Sequence, residues 1–172
     1  MRKVLLLFAA IGITTFVGCT GPEGPQGPAG SNINAEVFEL RNVNFTLDNN
    51  NEYTIYRTLD PVIFDSDNIL IYRMTGTIDS NTPVWQSIPR TLFLDQGELD
   101  YDYDFSLEDF KIYAGGTYNL ATTPDYLNNQ TFRIVILPGY FSNKNKAAAD
   151  INDYNAVAKA YGITEGDVQE IQ

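Results

Sequence analysis

From Ile33 to about Phe141 the chain alternates apolar and polar positions or runs apolar over short stretches, each bounded by turn-forming residues. A period of two sets successive side chains on opposite faces of an extended strand, so each such stretch has one face for a core and one for water. Ala35–Leu40, Tyr53–Thr58, Ile69–Thr75, Val84–Ile88, Thr91–Leu94, Leu99–Phe105, Phe110–Tyr113 and Thr131–Leu137 read as strands. Turn chemistry separates them in "DNNNE", "DSDN", "DSNTP", "DQGE" and "AGG". Thr131–Leu137 is apolar on both faces and reads as a central strand. No helical pattern falls between successive strands, which predicts a mainly β fold, an antiparallel immunoglobulin-like β-sandwich.

The period then changes. Tyr154, Val157, Ala158 and Tyr161 share one helical face within residues 150–161, and Gly162 is placed to end the helix. Thr164 ahead of Asp167 predicts a cap for a last short helix reaching Ile171. Residues 145–172 therefore read as a short C-terminal helical tail, a lid on the sandwich and part of one domain spanning 33–172.

The N-terminus has another anatomy. Arg2 and Lys3 precede the uncharged run Val4–Val17, and Gly18-Cys19 closes it. This is the layout of a secretory signal peptide over residues 1–18, too short for a comfortable membrane span. Phe16-Val17-Gly18-Cys19 resembles a bacterial lipobox, with Phe16 where leucine is usual. The resemblance implies cleavage before Cys19 and diacylation of its sulfur. Thr20 in the next position implies sorting to the outer membrane. Each acyl CH₂ buried contributes about 0.8 kcal/mol, and stable anchoring takes at least two chains.

Gly21-Pro22-Glu23, Gly24-Pro25-Gln26 and Gly27-Pro28-Ala29 have the collagen period. Three triplets are too few to hold a triple helix unaided. Proline at every third position instead favours an extended spacer rising ~3.1 Å per residue. Residues 19–32 thus read as an acylated cysteine and its linker, with a stalked trimeric assembly as an alternative.

Composition narrows the function. The 172 residues carry 11 Lys+Arg against 22 Asp+Glu, a formal net charge of −11, and loss of residues 1–18 deepens it by two. Phosphate binding needs concentrated positive charge, so no nucleic acid partner is expected. Histidine is absent, which removes the commonest general base and transition-metal ligand. Without it, Cys19 has no activating partner for catalysis. A single cysteine allows no intramolecular disulfide, so the fold must rest on its core.

Two acidic stretches invite a metal reading. Asp100, Asp102 and Asp104 have the spacing that opens an EF-hand loop, but Phe105 stands where Gly is needed and Lys111 where Glu is needed. As a strand, this stretch puts the three Asp on one face and Tyr101, Tyr103 and Phe105 on the other. Asp65 and Asp67 lie in a turn-rich loop. Weak Ca²⁺ binding at these five residues stands beside the plainer reading of solvated faces and turns, and no other cofactor is expected.

The layout resembles small envelope lipoproteins of Gram-negative bacteria that carry a short collagen-like stalk and a β-rich domain. Gly18-Cys19, the triplets through Gly30, Val84-Trp85 with Pro89, Leu99–Phe105 and Phe132–Pro138 carry that resemblance. It implies a lipid-anchored protein of the outer membrane, facing the periplasm or the cell surface. The expected function is non-enzymatic, a sandwich presented to a protein or glycan partner. Eleven Tyr, ten Phe and Trp85 supply material for a contact surface as well as for a core, where Trp85 is placed. A carboxylate-dependent, glycosidase-like hydrolase is the enzymatic alternative.

Overall fold

The computed structural model describes residues 35–79, 81–139 and 149–171. The expected signal peptide over 1–18, Cys19, the expected Gly-Pro-X linker and the first residues of the 145–172 tail lie outside the described residues. Among the described residues, ten strands form two five-stranded sheets. The first sheet runs β10 (Gln169–Ile171), β1 (Glu36–Val43), β9 (Gln130–Leu137), β4 (Asn68–Thr77), β5 (Pro83–Ser87). The second runs β2 (Thr46–Leu47), β3 (Tyr53–Thr58), β8 (Asp109–Gly116), β7 (Gly97–Phe105), β6 (Arg90–Leu94). Every pairing is antiparallel except β1 with β10.

Alternation builds the shared core. Leu40, Ile69, Ile71, Phe132, Ile134 and Ile136 face inward from the first sheet. Ile55, Leu99, Tyr101, Phe110, Ile112 and Ala114 meet them from the second. Each fully buried aliphatic or phenyl side chain contributes about 1.5–3 kcal/mol. That burial replaces what disulfides supply in smaller secreted domains.

β9 is central and buried along its whole length. Its odd face, Arg133, Val135 and Leu137, points away from the sandwich core into a second cluster with Val37, Leu70 and Tyr72. That outer face is covered by α1 (Tyr154–Tyr161), which buries Tyr154 and Val157 against it. Asp153 caps α1 by accepting from the Asn155 amide at 2.9 Å, and Gly162 ends it at φ 70°.

The tail differs from its expectation beyond Gly162. Thr164 and Asp167 do join, the Thr164 amide donating to Asp167 Oδ2 at 2.8 Å, but they close only a 3₁₀ turn over Glu165–Asp167. Gln169–Ile171 is then not helical: it is β10, lying parallel to Phe38–Leu40. An open row of backbone donors and acceptors on β1 offered more than a second helical turn. The tail therefore covers one face of the first sheet and also seals its edge.

Topology gives the sandwich two distinct ends. β1 begins opposite the end of β9 and the start of β4, and the 59–67 loop joins that start to the end of β3. Thr58 pairs with Asp109 and Phe105 with Phe110, so the β7–β8 turn is at this same end. The described chain thus begins at what is termed the near end. The β1–β3 connection, the end of β8 and the 3₁₀ turns at Leu120–Thr122 and Pro124–Tyr126 make the far end.

Candidate functional site

A cleft of about 600 Å³ opens on the second sheet toward the far end. Its floor is the outer face of β7 and β8, carrying Asp100, Asp102, Tyr113 and Gly115. Tyr53, Asn51 and Glu52 form one wall, and Tyr118, Asn119 and Leu120 the other.

Local sequence explains the shape. Asp48 Oδ1 accepts from the amides of Asn50 and Glu52 at 2.9 and 3.0 Å, closing the turn that precedes β3. Asn51 takes φ 66° there, a conformation asparagine tolerates. On the opposite wall the Asn119 side chain accepts from the Ala121 amide at 3.1 Å, and the Tyr118 hydroxyl lies 2.6 Å from Thr123 Oγ1. Two glycines keep the floor open. A Cβ on Gly115 would lie 2.8 Å from the Asp100 carboxylate, and one on Gly116 would lie 2.6 Å from the Glu98 carbonyl.

The floor is polar and ordered. Tyr113 donates to Asp104 Oδ2 at 2.6 Å, and that bond pushes the phenol up to about 12. The Lys111 ammonium lies 5.5 Å from the Tyr113 ring centroid. Asp102 Oδ1 accepts from the Tyr103 amide at 2.8 Å. Among the described residues no lysine or arginine lines the cleft, whereas Glu52, Asp100 and Asp102 do. Tyr113 lies on the floor, and Tyr53 and Tyr118 line the hollow while packing against the core, so aromatic edges stand beside amide and carboxylate acceptors and donors.

Of the acidic residues singled out above, Asp100 and Asp102 meet in this cleft, while Asp104 holds Tyr113 from beside it. Asp65 and Asp67 sit in the near-end loop, where Asp67 accepts from the Phe64 amide at 3.0 Å and the Gly139 amide at 3.2 Å. Among the described residues no three Asp, Glu, Cys or His side chains gather into a group able to hold a metal. Tyr53, Tyr113, Tyr118 and the glycine pair were not singled out by pattern. The glycines in "YAGGTY" read as a separator, and their packing role appears only once β7 lies alongside.

A second polar cluster lies under the tail. Arg133, opposite Glu39 on β1, donates through Nε to Glu39 Oε1 at 2.9 Å, and its Nη2 bonds the same carboxylate. Nη1 and Nη2 each donate to Glu165 at 2.9 Å. The guanidinium carbon lies 4.4 Å from the Trp85 ring centroid and 4.6 Å from that of Tyr154. Burial opposes the charge, but the Glu165 and Glu39 hydrogen bonds outweigh it and hold Arg133 above its ordinary value. Arg133 in turn lowers Glu165. Trp85, expected in the core, is half-buried on the outer face of the first sheet, packed against the second cluster. These contacts fasten the tail to the sheet.

Among the described residues no helix is long and apolar enough to cross a membrane. No family model, curated protein or solved structure matches the chain.

Proposed function

We propose that this chain is a lipid-anchored, non-enzymatic module of the bacterial outer membrane that binds a saccharide in the far-end cleft. The acylated Cys19 and the Gly-Pro-X spacer tie the domain to the envelope, and the domain presents the cleft to its ligand. The carrying observation is the hollow itself, with Tyr53, Tyr113 and Tyr118 beside Asp100, Asp102, Asn51 and Asn119. Sugar rings stack on tyrosine faces, and their hydroxyls donate to carboxylate and amide oxygens. The acidic lining favours neutral or amine-bearing sugars over anionic ones.

The strand order supports the immunoglobulin-like part of this reading. Taking β2, β3, β8 and β7 as strands A, B, E and D, and β1, β9, β4 and β5 as G, F, C and C′, matches the neighbour order of that fold and leaves β6 and β10 as additional edge strands. The strand that ends an immunoglobulin chain stands first here, as if the chain had been circularly permuted.

Two experiments test the proposal. Fatty-acid labelling of cells should mark the wild type and leave Cys19→Ala blank; equal labelling defeats the anchor. Calorimetry of the mature chain against neutral, amino and acidic oligosaccharides should detect binding that Tyr113→Ala and Asp102→Asn abolish. Affinity untouched by both substitutions defeats the cleft, and release of reducing ends from a bound glycan defeats the non-enzymatic assignment.

A further inference from the structure

The near end carries an apolar tip. Val62 and Phe64 on the 59–67 loop are 57% and 74% exposed, and Phe105 and Leu107 at the β7–β8 turn are 39% and 42% exposed. The two segments are bonded to each other, the Leu59 amide to the Glu108 carbonyl at 2.7 Å and the Ile63 amide to the Leu107 carbonyl at 3.0 Å. Phe105 stacks on Tyr103 with ring centroids 6.5 Å apart. Phe64 is held out into water by its own loop: its amide donates to Asp67 Oδ2 and its carbonyl accepts from the Asp67 amide at 2.9 Å. Four exposed apolar side chains on two segments bonded to each other gather apolar surface at one end of the sandwich.

The position of the tip names its partner. The described chain begins at residue 35 on this same end, opposite the last residues of β9. Sixteen residues, 19–34, separate Cys19 from this end, and a fully extended chain of that length spans at most ~58 Å. An anchor at Cys19 therefore keeps the near end within reach of the bilayer, and tethering raises the local lipid concentration seen by the tip. Residues 59–67 and 105–109 contain Asp60, Asp65, Asp67, Glu108 and Asp109 and no lysine or arginine. That charge suits a zwitterionic headgroup layer and is repelled by an anionic one.

We infer that Val62, Phe64, Phe105 and Leu107 form a membrane-docking tip that seats the near end in the zwitterionic surface of the bilayer holding the anchor. This inference rests on the lipid-anchored reading above. Docking fixes the orientation of the domain, with the cleft turned away from the membrane. The spacer then sets how far the domain travels before it seats.

The test uses the full exported chain reconstituted in phosphatidylcholine vesicles, with Phe64→Trp as the probe and wild-type Trp85 as the internal reference. Flotation reports the anchor separately from the tip. The expected result is a chain that floats, with the introduced indole shifted to the blue and quenched by brominated phosphatidylcholine far more than Trp85. Replacing half the lipid by phosphatidylglycerol should weaken that quenching without releasing the protein. A floating chain whose introduced indole emits as in water overturns the tip and leaves the anchor standing. A chain that fails to float overturns both. Shielding of the indole from lipid and water alike, with cross-linking between copies, assigns the tip to self-association and also overturns the inference.

Discussion

Replacing Arg133 by methionine keeps the length of the side chain and removes the charge that fastens the tail. Its cost follows from what each partner loses. Glu39 is 3% exposed at its side chain and, among the described residues, keeps Arg41, whose Nε lies 2.6 Å from Glu39 Oε2. Breaking a buried ion pair by removing one partner costs about 3–5 kcal/mol, because the remaining charge stays desolvated. Arg41 is half exposed and relieves part of this, which puts the expectation near the lower end, about 3 kcal/mol. Glu165 is 73% exposed at its side chain, so its share is that of a surface pair, about 0.2–1 kcal/mol. The orphaned Glu39 thus dominates. Urea unfolding should show a lower midpoint at an unchanged slope, and Tm should fall by roughly 6–12 °C for a domain of this size. Adding Glu39→Gln to Arg133→Met should restore more than half of the loss, since the unpaired charge disappears. A single-substitution cost under about 1 kcal/mol, or a double variant less stable than either single one, refutes the reasoning.

Other outcomes follow from the same contacts. Glu165→Gln should destabilise slightly near neutral pH; the carboxyl is held below its ordinary 4.5, so its contribution is present above that value and fades as pH falls through the lowered one. Thermal melts of wild type and variant should therefore converge in acid, and a gap that widens contradicts the assignment. Tyr113 should ionise near 12 in a near-ultraviolet titration, and Asp104→Asn should bring it down toward 10; no change means the 2.6 Å bond is not formed in solution. Gly115→Ala should push the Asp100 carboxylate off the cleft floor and weaken saccharide binding while moving Tm by only a few degrees, on the order of 2–4 °C for each kcal/mol. Gly162→Ala should cost roughly 1 kcal/mol by urea unfolding, because the residue adopts φ 70°.

Most strands were legible because each has one dry face and one wet one. "LDYDYDF" alternates by chemistry, and β7 sets Leu99 and Tyr101 in the core with Asp100 and Asp102 outside. β9 was legible as central for the opposite reason, since both of its faces are covered. β2 spans two residues, too few to show a period. β10 was read as helix because Thr164 and Asp167 signal a helix start, while its partner Phe38–Leu40 lies at the other end of the sequence. Pairing over such a distance leaves no local mark. The cleft was half legible for the same reason: Asp100 and Asp102 stand out as a motif, but Tyr53 and Tyr118 reach them only through the β3–β8–β7 pairing. Arg133 breaks the apolar run of β9, and no local pattern marks it or its partner Glu39, 94 residues away in the chain.

The parallel seam between β1 and β10 bears on how the molecule is made. β1, the first strand, has as its neighbours β9 and β10, the last two to be synthesised. A ribosome or export channel that still holds the C-terminus leaves that first strand with both edges bare. Closure of such distant pairs is slow, and here β1 stays unpaired until β9 and β10 have been made, while the second sheet assembles from residues 46–116 alone. Among the described strands, the first one made thus waits longest for a partner.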